Sequence, residues 1–188
     1  MAELAPELAT KRLVLRPVDR LDIARIATLA NDVRIAETTR LLPHPLTSNQ
    51  VLHWFESLVT RREQAFAVVL KDENLLVGVV ALTLAMDGKT AEVGYWLGHD
   101  YWGHGYMTEA VRRIARYAFG DLKLTAIDAG VIPGNEGSVG VLVKAGFDVE
   151  GHGTRPAPAR GGDRDVLLFK ATRASFARAA LSQAVGRE

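Results

Sequence analysis

The chain has 188 residues, 48% of them hydrophobic and 24% charged, with a formal net charge of +1. This composition excludes a disordered chain and allows one compact domain with a sizeable core, and so small a net charge excludes strong electrostatic steering toward nucleic acid. Cysteine is absent, which rules out disulfides, thiolate zinc sites and a cysteine nucleophile. The N-terminal MAELAPELATKR has neither the cationic start nor the apolar core of a signal peptide, and no run approaches the ~20 apolar residues of a bilayer span. A cytoplasmic location without membrane contact is the expectation.

Residues 1–9 read as a flexible tail. KRLVLRPV (11–18) alternates as a strand with Leu13 and Leu15 on one face. Asp19 opens a helix whose Ile23, Ile26, Ala27 and Ala30 recur at helical spacing. LLPHPLT (41–47) is a proline-broken connection. Thr47 and Gln50 then form a capping-box pair ahead of an apolar stripe, Val51, Trp54, Phe55 and Leu58. Trp54 and Phe55 suit either an acceptor pocket or plain helix packing. The runs 65–70, 75–84 and 90–99 are β-rich and joined by the turns KDEN and MDGK, so they predict three antiparallel strands.

Beyond residue 105, Val111, Ile114, Ala115 and Ala118 make the buried stripe of a helix, with Arg112, Arg113 and Arg116 on its solvated side. LTAIDAGVI (124–132) is a strand closed by PGN. A short helix over 136–144 is stopped by Gly146. A strand begins at 147–150, PAPARGGD (156–163) is a loop, 164–170 is the last strand, and 171–185 suggests a terminal helix. The order is that of a mixed α/β (α+β) single domain.

YWGHGYMTEA (101–110) sits between a strand and a helix. Its two glycines let the backbone bend tightly and aim successive N–H groups at the positive end of the helix, a ready site for a pyrophosphate. A Walker loop would need Gly-Lys followed by Ser or Thr, which is missing. A dinucleotide fold would need a third glycine where Thr108 stands, and βαβ connections rather than hairpins. His44, His53, His99, His104 and His152 show no ligand spacing, so no metal is expected.

Five segments in order, TKRLVLRPV, AEVGYWLG, YWGHGYMTEA, NEGSVGVLVKAGF and RDVLLF, resemble the GNAT superfamily of acyl-CoA-dependent N-acyltransferases over about residues 10–172. The nearest likeness is to its RimJ/RimL-type branch, which acetylates ribosomal protein N-termini and includes small-amine acetyltransferases. The resemblance implies a mostly antiparallel seven-stranded sheet flanked by helices, spanning residues 10–172 and followed by a helix or tail at 173–188. It implies acetyl-CoA as co-substrate, with the pantetheine arm pairing near Trp96, Leu97 and Gly98. The pyrophosphate is then expected on backbone N–H groups of Trp102, Gly103, His104, Gly105, Tyr106, Met107 and Thr108. Gly103 and Gly105 match the family pattern, while Asp100 stands where Gln or Arg is commoner.

The implied reaction is direct attack of a primary amine, from a protein N-terminus or a small molecule, on the thioester. Positioning alone can supply ~7–11 kcal/mol of the acceleration, and a strand N–H near Leu97 is a candidate donor to the thioester oxygen. Glu92 matches a glutamate found in many relatives, as general base or as an anchor for the substrate ammonium; alternation places it with Gly94 and Trp96 on one face. Many relatives carry a Tyr acid where this chain has Leu142; the branch often has a Ser instead, matched by Ser138, which also suits a helix first turn. Asn135 is expected to cap that helix and to touch the pantetheine arm. The acceptor groove falls to residues 19–62 and the 156–163 loop. An acyl donor larger than acetyl, a homodimer through exposed edge strands, and an idle CoA-binding sensor remain compatible with the sequence.

Overall fold

The computed structural model describes residues 5–185. Strand β1 (Leu8–Ala9) pairs antiparallel with β2 (Leu13–Pro17), Leu8 lying opposite Leu15. The expected seven-stranded sheet therefore has eight strands, because part of the expected tail docks as an edge strand and buries Leu8. Residues 1–4 lie outside the described part.

The helix expected after Asp19 forms, entered through a 3-10 turn. That turn, Arg20–Asp22, carries an Asp19/Asp22 capping box and leads into α1 (Ile23–Ala30). Asn31 and Asp32 break the run, and the Asp32 carboxylate accepts from the Arg34 N–H at 2.9 Å to start a further helix, α2 (Val33–Thr38). The Thr47/Gln50 box opens α3 (Ser48–Ser57), as expected, and Val51 is buried.

β3 (Glu63–Leu70), β4 (Leu75–Leu84) and β5 (Thr90–Leu97) form the antiparallel meander. Helix α4 (Tyr106–Gly120) follows, then β6 (Ala126–Val131), α5 (Glu136–Lys144), β7 (Asp148–Ala157), β8 (Gly162–Thr172) and α6 (Arg173–Val185). The segment expected as a loop at 156–163 instead completes β7, makes a 3-10 turn over Pro158–Arg160, and reverses at Gly161 and Gly162, both with positive φ. The sheet order is β1-β2-β3-β4-β5-β6-β8-β7.

Strand alternation sends residues to two apolar clusters, one on each face. On one face Leu13, Leu15, Phe66, Val80 and Leu82 meet Val111, Ile114 and Ala118 of α4. On the other Val69, Val79 and Ala81 meet Ile26 and Ala30 of α1 and Val51 of α3. A fully buried Ile or Leu contributes about 1.5–3 kcal/mol, so both helical layers are held firmly to the sheet. α6 joins the first face, with Ser175 buried and the Phe176 ring 5.7 Å from that of Phe119.

The site depends on a fork in this sheet. β5 and β6 run parallel and pair only at Thr90↔Ala126, Ala91↔Ile127 and Glu92↔Asp128. Beyond that point β5 stays with β4 to Leu97, while β6 stays with β8 to Val131. The two strands separate after residue 92 and leave a V-shaped gap between the helical layers.

Candidate active site

The gap opens into a cleft of about 880 Å³ lined from both layers. The Gly98 N–H donates to the Val77 carbonyl at 2.9 Å, and ladder bonds alternate along an antiparallel pair. With Trp96 opposite Val79 and Gly94 opposite Ala81, the even residues of β5 face β4. The N–H and C=O groups of Val93, Tyr95 and Leu97 therefore point into the fork, where β6 has departed. An extended arm carrying amide groups can pair with such an edge as an added strand. The Leu97 carbonyl accepts from the Trp102 indole at 2.9 Å. Gly98 is fixed by packing, since a Cβ there would stand 2.4 Å from Leu29 Cδ1.

After a 3-10 turn, His99–Tyr101, the chain bends through Gly103 and Gly105, both left-handed (φ 77° and 76°), into α4. The Trp102 N–H is committed to the His99 carbonyl at 3.1 Å, so Trp102 lines the cleft through its side chain and adds no N–H to the cradle. Gly103, Gly105, Tyr106, Met107 and Thr108 line the mouth of the cleft, and the amides of the first α4 turn have no helical partner. His104 turns outward: its ring is exposed, stacks on Tyr106 with centroids 5.5 Å apart, and lies outside the cleft lining. The Asp100 carboxylate is 92% exposed and 3.6 Å from the His99 ring, aimed away from the cradle.

Sequence reasoning missed Arg12. From the β1–β2 turn its guanidinium donates to the His104 carbonyl (2.9 Å) and to Glu109 (2.8 Å), and lies 4.5 Å from the Tyr106 ring centroid. A Cβ on Gly105 would stand 3.6 Å from its Nη2. Glu109 also accepts from the Thr10 hydroxyl (2.6 Å) and the Arg12 N–H (2.8 Å). Burial pushes its carboxyl up, but the hydrogen bonds from Thr10 and Arg12 outweigh that, and the net shift is downward. Only the proximity of residues almost a hundred positions apart reveals this brace.

Sequence reasoning also missed Tyr95. Asn135 caps α5, its side chain accepting from the Ser138 N–H at 3.0 Å and donating to the Thr38 carbonyl at 3.0 Å. Ser138 lies in the first turn of α5, its Oγ 2.8 Å from the Tyr95 hydroxyl. Burial pushes the Tyr95 phenol well above its ordinary value, with the Ser138 hydrogen bond opposing only in part, so this hydroxyl stays protonated at any physiological pH. Leu142 is fully buried in the core. The alternation of β5 carried a signal, since it places Tyr95 on the α4–α5 face, opposite Glu92; the pairing with Ser138 needs the tertiary fold.

Glu92 stands at the fork, on the α1–α3 face. It does not stand alone: Arg40 binds one oxygen, and Arg155 Nε lies 4.0 Å from the other. Arg40 also donates to the Pro156 carbonyl (2.8 Å), and Arg160 donates to the Thr39 carbonyl (3.1 and 3.2 Å). Trp54 lines the cleft and donates to Glu63 at 3.1 Å, so it both packs and faces the cavity. Of the expected site residues, all but Gly98 and His104 line this one cleft. Among the described residues no helix is long and apolar enough to cross a membrane, and no cluster of three or more His, Asp or Glu is placed to hold a metal ion.

A forked sheet, a strand edge open at the fork and unpaired amides at a helix start suit an extended, amide-bearing arm that ends in an anionic group. Residues 12–148 match the acetyltransferase (GNAT) domain family, and the chain belongs to it. It is 42% identical over 104 residues to the probable N-acetyltransferase YjcK of Bacillus subtilis, a match covering 54% of this chain and 58% of that protein. It is 30% identical over 154 residues to the uncharacterized N-acetyltransferase YoaA of the same organism, covering 78% and 85%. The structure of Mycobacterium smegmatis RimJ in complex with CoA-disulfide superposes with a TM-score of 0.78 at 22% identity, covering 95% of each chain.

Proposed function

We propose that this chain transfers the acetyl group of acetyl-CoA to a primary amine by direct attack, without a covalent enzyme intermediate. The observation that carries the reading is the fork after Glu92, with the amide cradle of Gly103–Thr108 at its mouth. The pantetheine arm pairs with the N–H and C=O groups of Tyr95, and the diphosphate lies on the cradle. Arg12 adds a cation beside it where the loop itself has only the averted Asp100. The Leu97 N–H is the candidate donor to the thioester oxygen, where charge develops.

The amine nitrogen forms a bond to the carbonyl carbon and loses one proton, the C–S bond breaks, and the departing thiolate takes up a proton. Ser138 supplies the hydrogen bond to sulfur, and Tyr95 hands its own to Ser138 Oγ, a relay suited to a phenol that stays protonated. Glu92, already engaged by Arg40 and Arg155, orients the incoming ammonium and passes its proton to water rather than acting as an isolated base. Residues 10–172 form the catalytic unit, α6 closes its core, the site of action is cytoplasmic, and the β7 edge is the face open to a homodimer.

Calorimetry with CoA and a thiol-release assay over an amine and peptide panel test this reading. Binding together with amine-dependent thiol release supports an enzyme; binding without turnover of any acceptor makes the protein a CoA sensor. Lack of association with CoA overturns the reading.

A further inference from the structure

The acceptor side of the cleft has a charge pattern that narrows the amine, taking the acetyltransferase reading as given. Two guanidiniums, Arg40 and Arg155, flank the carboxylate of Glu92 at the fork, while Asp128, opposite Glu92 on β6, is engaged by Lys170. Arg40 is held deep in the site, with 14% of its side chain exposed. A simple amine or polyamine entering here must displace an arginine from Glu92 without giving it another anionic partner. Breaking a partly buried ion pair in that way is costly. An amine that brings its own anionic group exchanges partners instead, its ammonium on Glu92 and its anion on Arg40, so every charge stays paired.

The walls set the size. Asn135 holds the Thr38 carbonyl, Arg160 the Thr39 carbonyl, and Arg40 the Pro156 carbonyl. These three links tie residues 38–40 to α5, to the end of β7 and to the β7–β8 turn, and fix that wall of the cleft. Beside Glu92 the space between the sheet and α1–α3 is lined by Leu42, Leu46, Val51, Trp54 and Trp96, with the Arg61–Glu63 pair next to Trp54, a largely apolar wall that suits an apolar substituent.

We propose that the acceptor is a small zwitterionic amine, an α-amino acid with a large apolar side chain. Its ammonium would sit on Glu92, its carboxylate on Arg40 and Arg155, and its side chain against Trp54 and Trp96. The transfer forms the N–C bond of an N-acetylated amino acid and releases CoA as the free thiol, the amine proton leaving to solvent.

The test is initial-rate thiol release from acetyl-CoA with L-phenylalanine and L-leucine, their methyl esters, phenethylamine, spermidine and an N-terminal heptapeptide. The free amino acids should exceed their esters and phenethylamine in kcat/KM by roughly 10- to 100-fold, the loss expected when hydrogen bonds to a charged group are removed. In Arg40→Met the ratio of phenylalanine to phenethylamine should fall toward one, and Arg40→Lys should restore part of it. That ratio, taken within one preparation, does not depend on the folded fraction. Equal rates with and without the carboxylate, or preference for spermidine or the peptide, overturn the proposal while leaving the acetyltransferase reading intact. CoA binding with no acceptor consumed and no calorimetric association of phenylalanine with the CoA complex overturns it as well. Failure to bind CoA instead removes the parent reading, and the proposal with it.

Discussion

The two halves of the cleft are built in different ways. On the α4 side the contacts are backbone: the amides of Gly103–Thr108 and the open edge of β5, almost all within residues 93–108. On the α1–α3 side they are side chains from distant segments, Arg40 from the α2–α3 connection, Trp54 from α3 and Glu92 from β5, with Arg155 of β7 beside Glu92. A backbone cradle requires only that the chain can bend, so it is encoded locally and tolerates the odd residue Asp100. A side-chain pocket depends on where each element is set down, so it can change its substrate while the fold persists.

Breaking the backbone half should have the largest effect. Gly105→Glu places a carboxylate and a Cβ at a left-handed position beside the cradle, and is expected to raise the acyl-CoA KM on the order of 100-fold. A near-normal KM in steady-state kinetics would mean the diphosphate lies elsewhere. Next come the two hydroxyls between the halves. Ser138→Ala should lower kcat by roughly 10- to 100-fold, in the range of a lost proton donor, with the acyl-CoA KM little changed. Tyr95→Phe should cost less, and the double variant no more than Ser138→Ala alone, since both act through one hydrogen bond to sulfur. Additive losses would show that Tyr95 acts independently.

The brace on the cradle gives smaller, condition-dependent effects. Arg12→Met should raise the acyl-CoA KM by about 3- to 10-fold at low salt and less at high salt, because the guanidinium is partly exposed and screened. Glu109 has a lowered carboxyl value in the folded protein. Its contribution to stability is therefore complete above the ordinary glutamate value near ~4.3 and is lost as pH falls through the lower folded value. Glu109→Gln should accordingly flatten the acid limb of a Tm-against-pH curve below about pH 4; an unchanged limb would assign that limb to other carboxylates, such as Asp22, which the Arg16 hydrogen bond also lowers despite an opposing push from burial. Asp100→Asn should alter the acyl-CoA KM by less than about 2-fold, because its carboxylate points into solvent.

Most elements were legible because their signals are short-range. The Thr47/Gln50 box, the β3–β5 meander, the apolar stripe of α4 and the Gly146 stop all lie within a few residues of what they specify. The reading went astray where a contact came from afar. Leu8–Ala9 looks like a tail until it meets β2, and the β7–β8 reversal looks like a loop until its strands pair. Residues 31–40 were given no element, although Asp32 caps the short helix α2 there.

By itself the sequence determined the glycine bend, the helix that begins on it, and the strand that leads to it, because φ freedom, capping and alternation act over one to four residues. It also placed Glu92 and Gly94 on one face and Tyr95 on the other. The tertiary structure decided what those residues face: that β5 and β6 part after Glu92, that Tyr95 meets Ser138, that Arg12 braces the loop, and that two arginines hold Glu92. Those facts rest on side chains brought together across 43 to 97 positions, and no periodicity of a chain carries information about a partner so far along it.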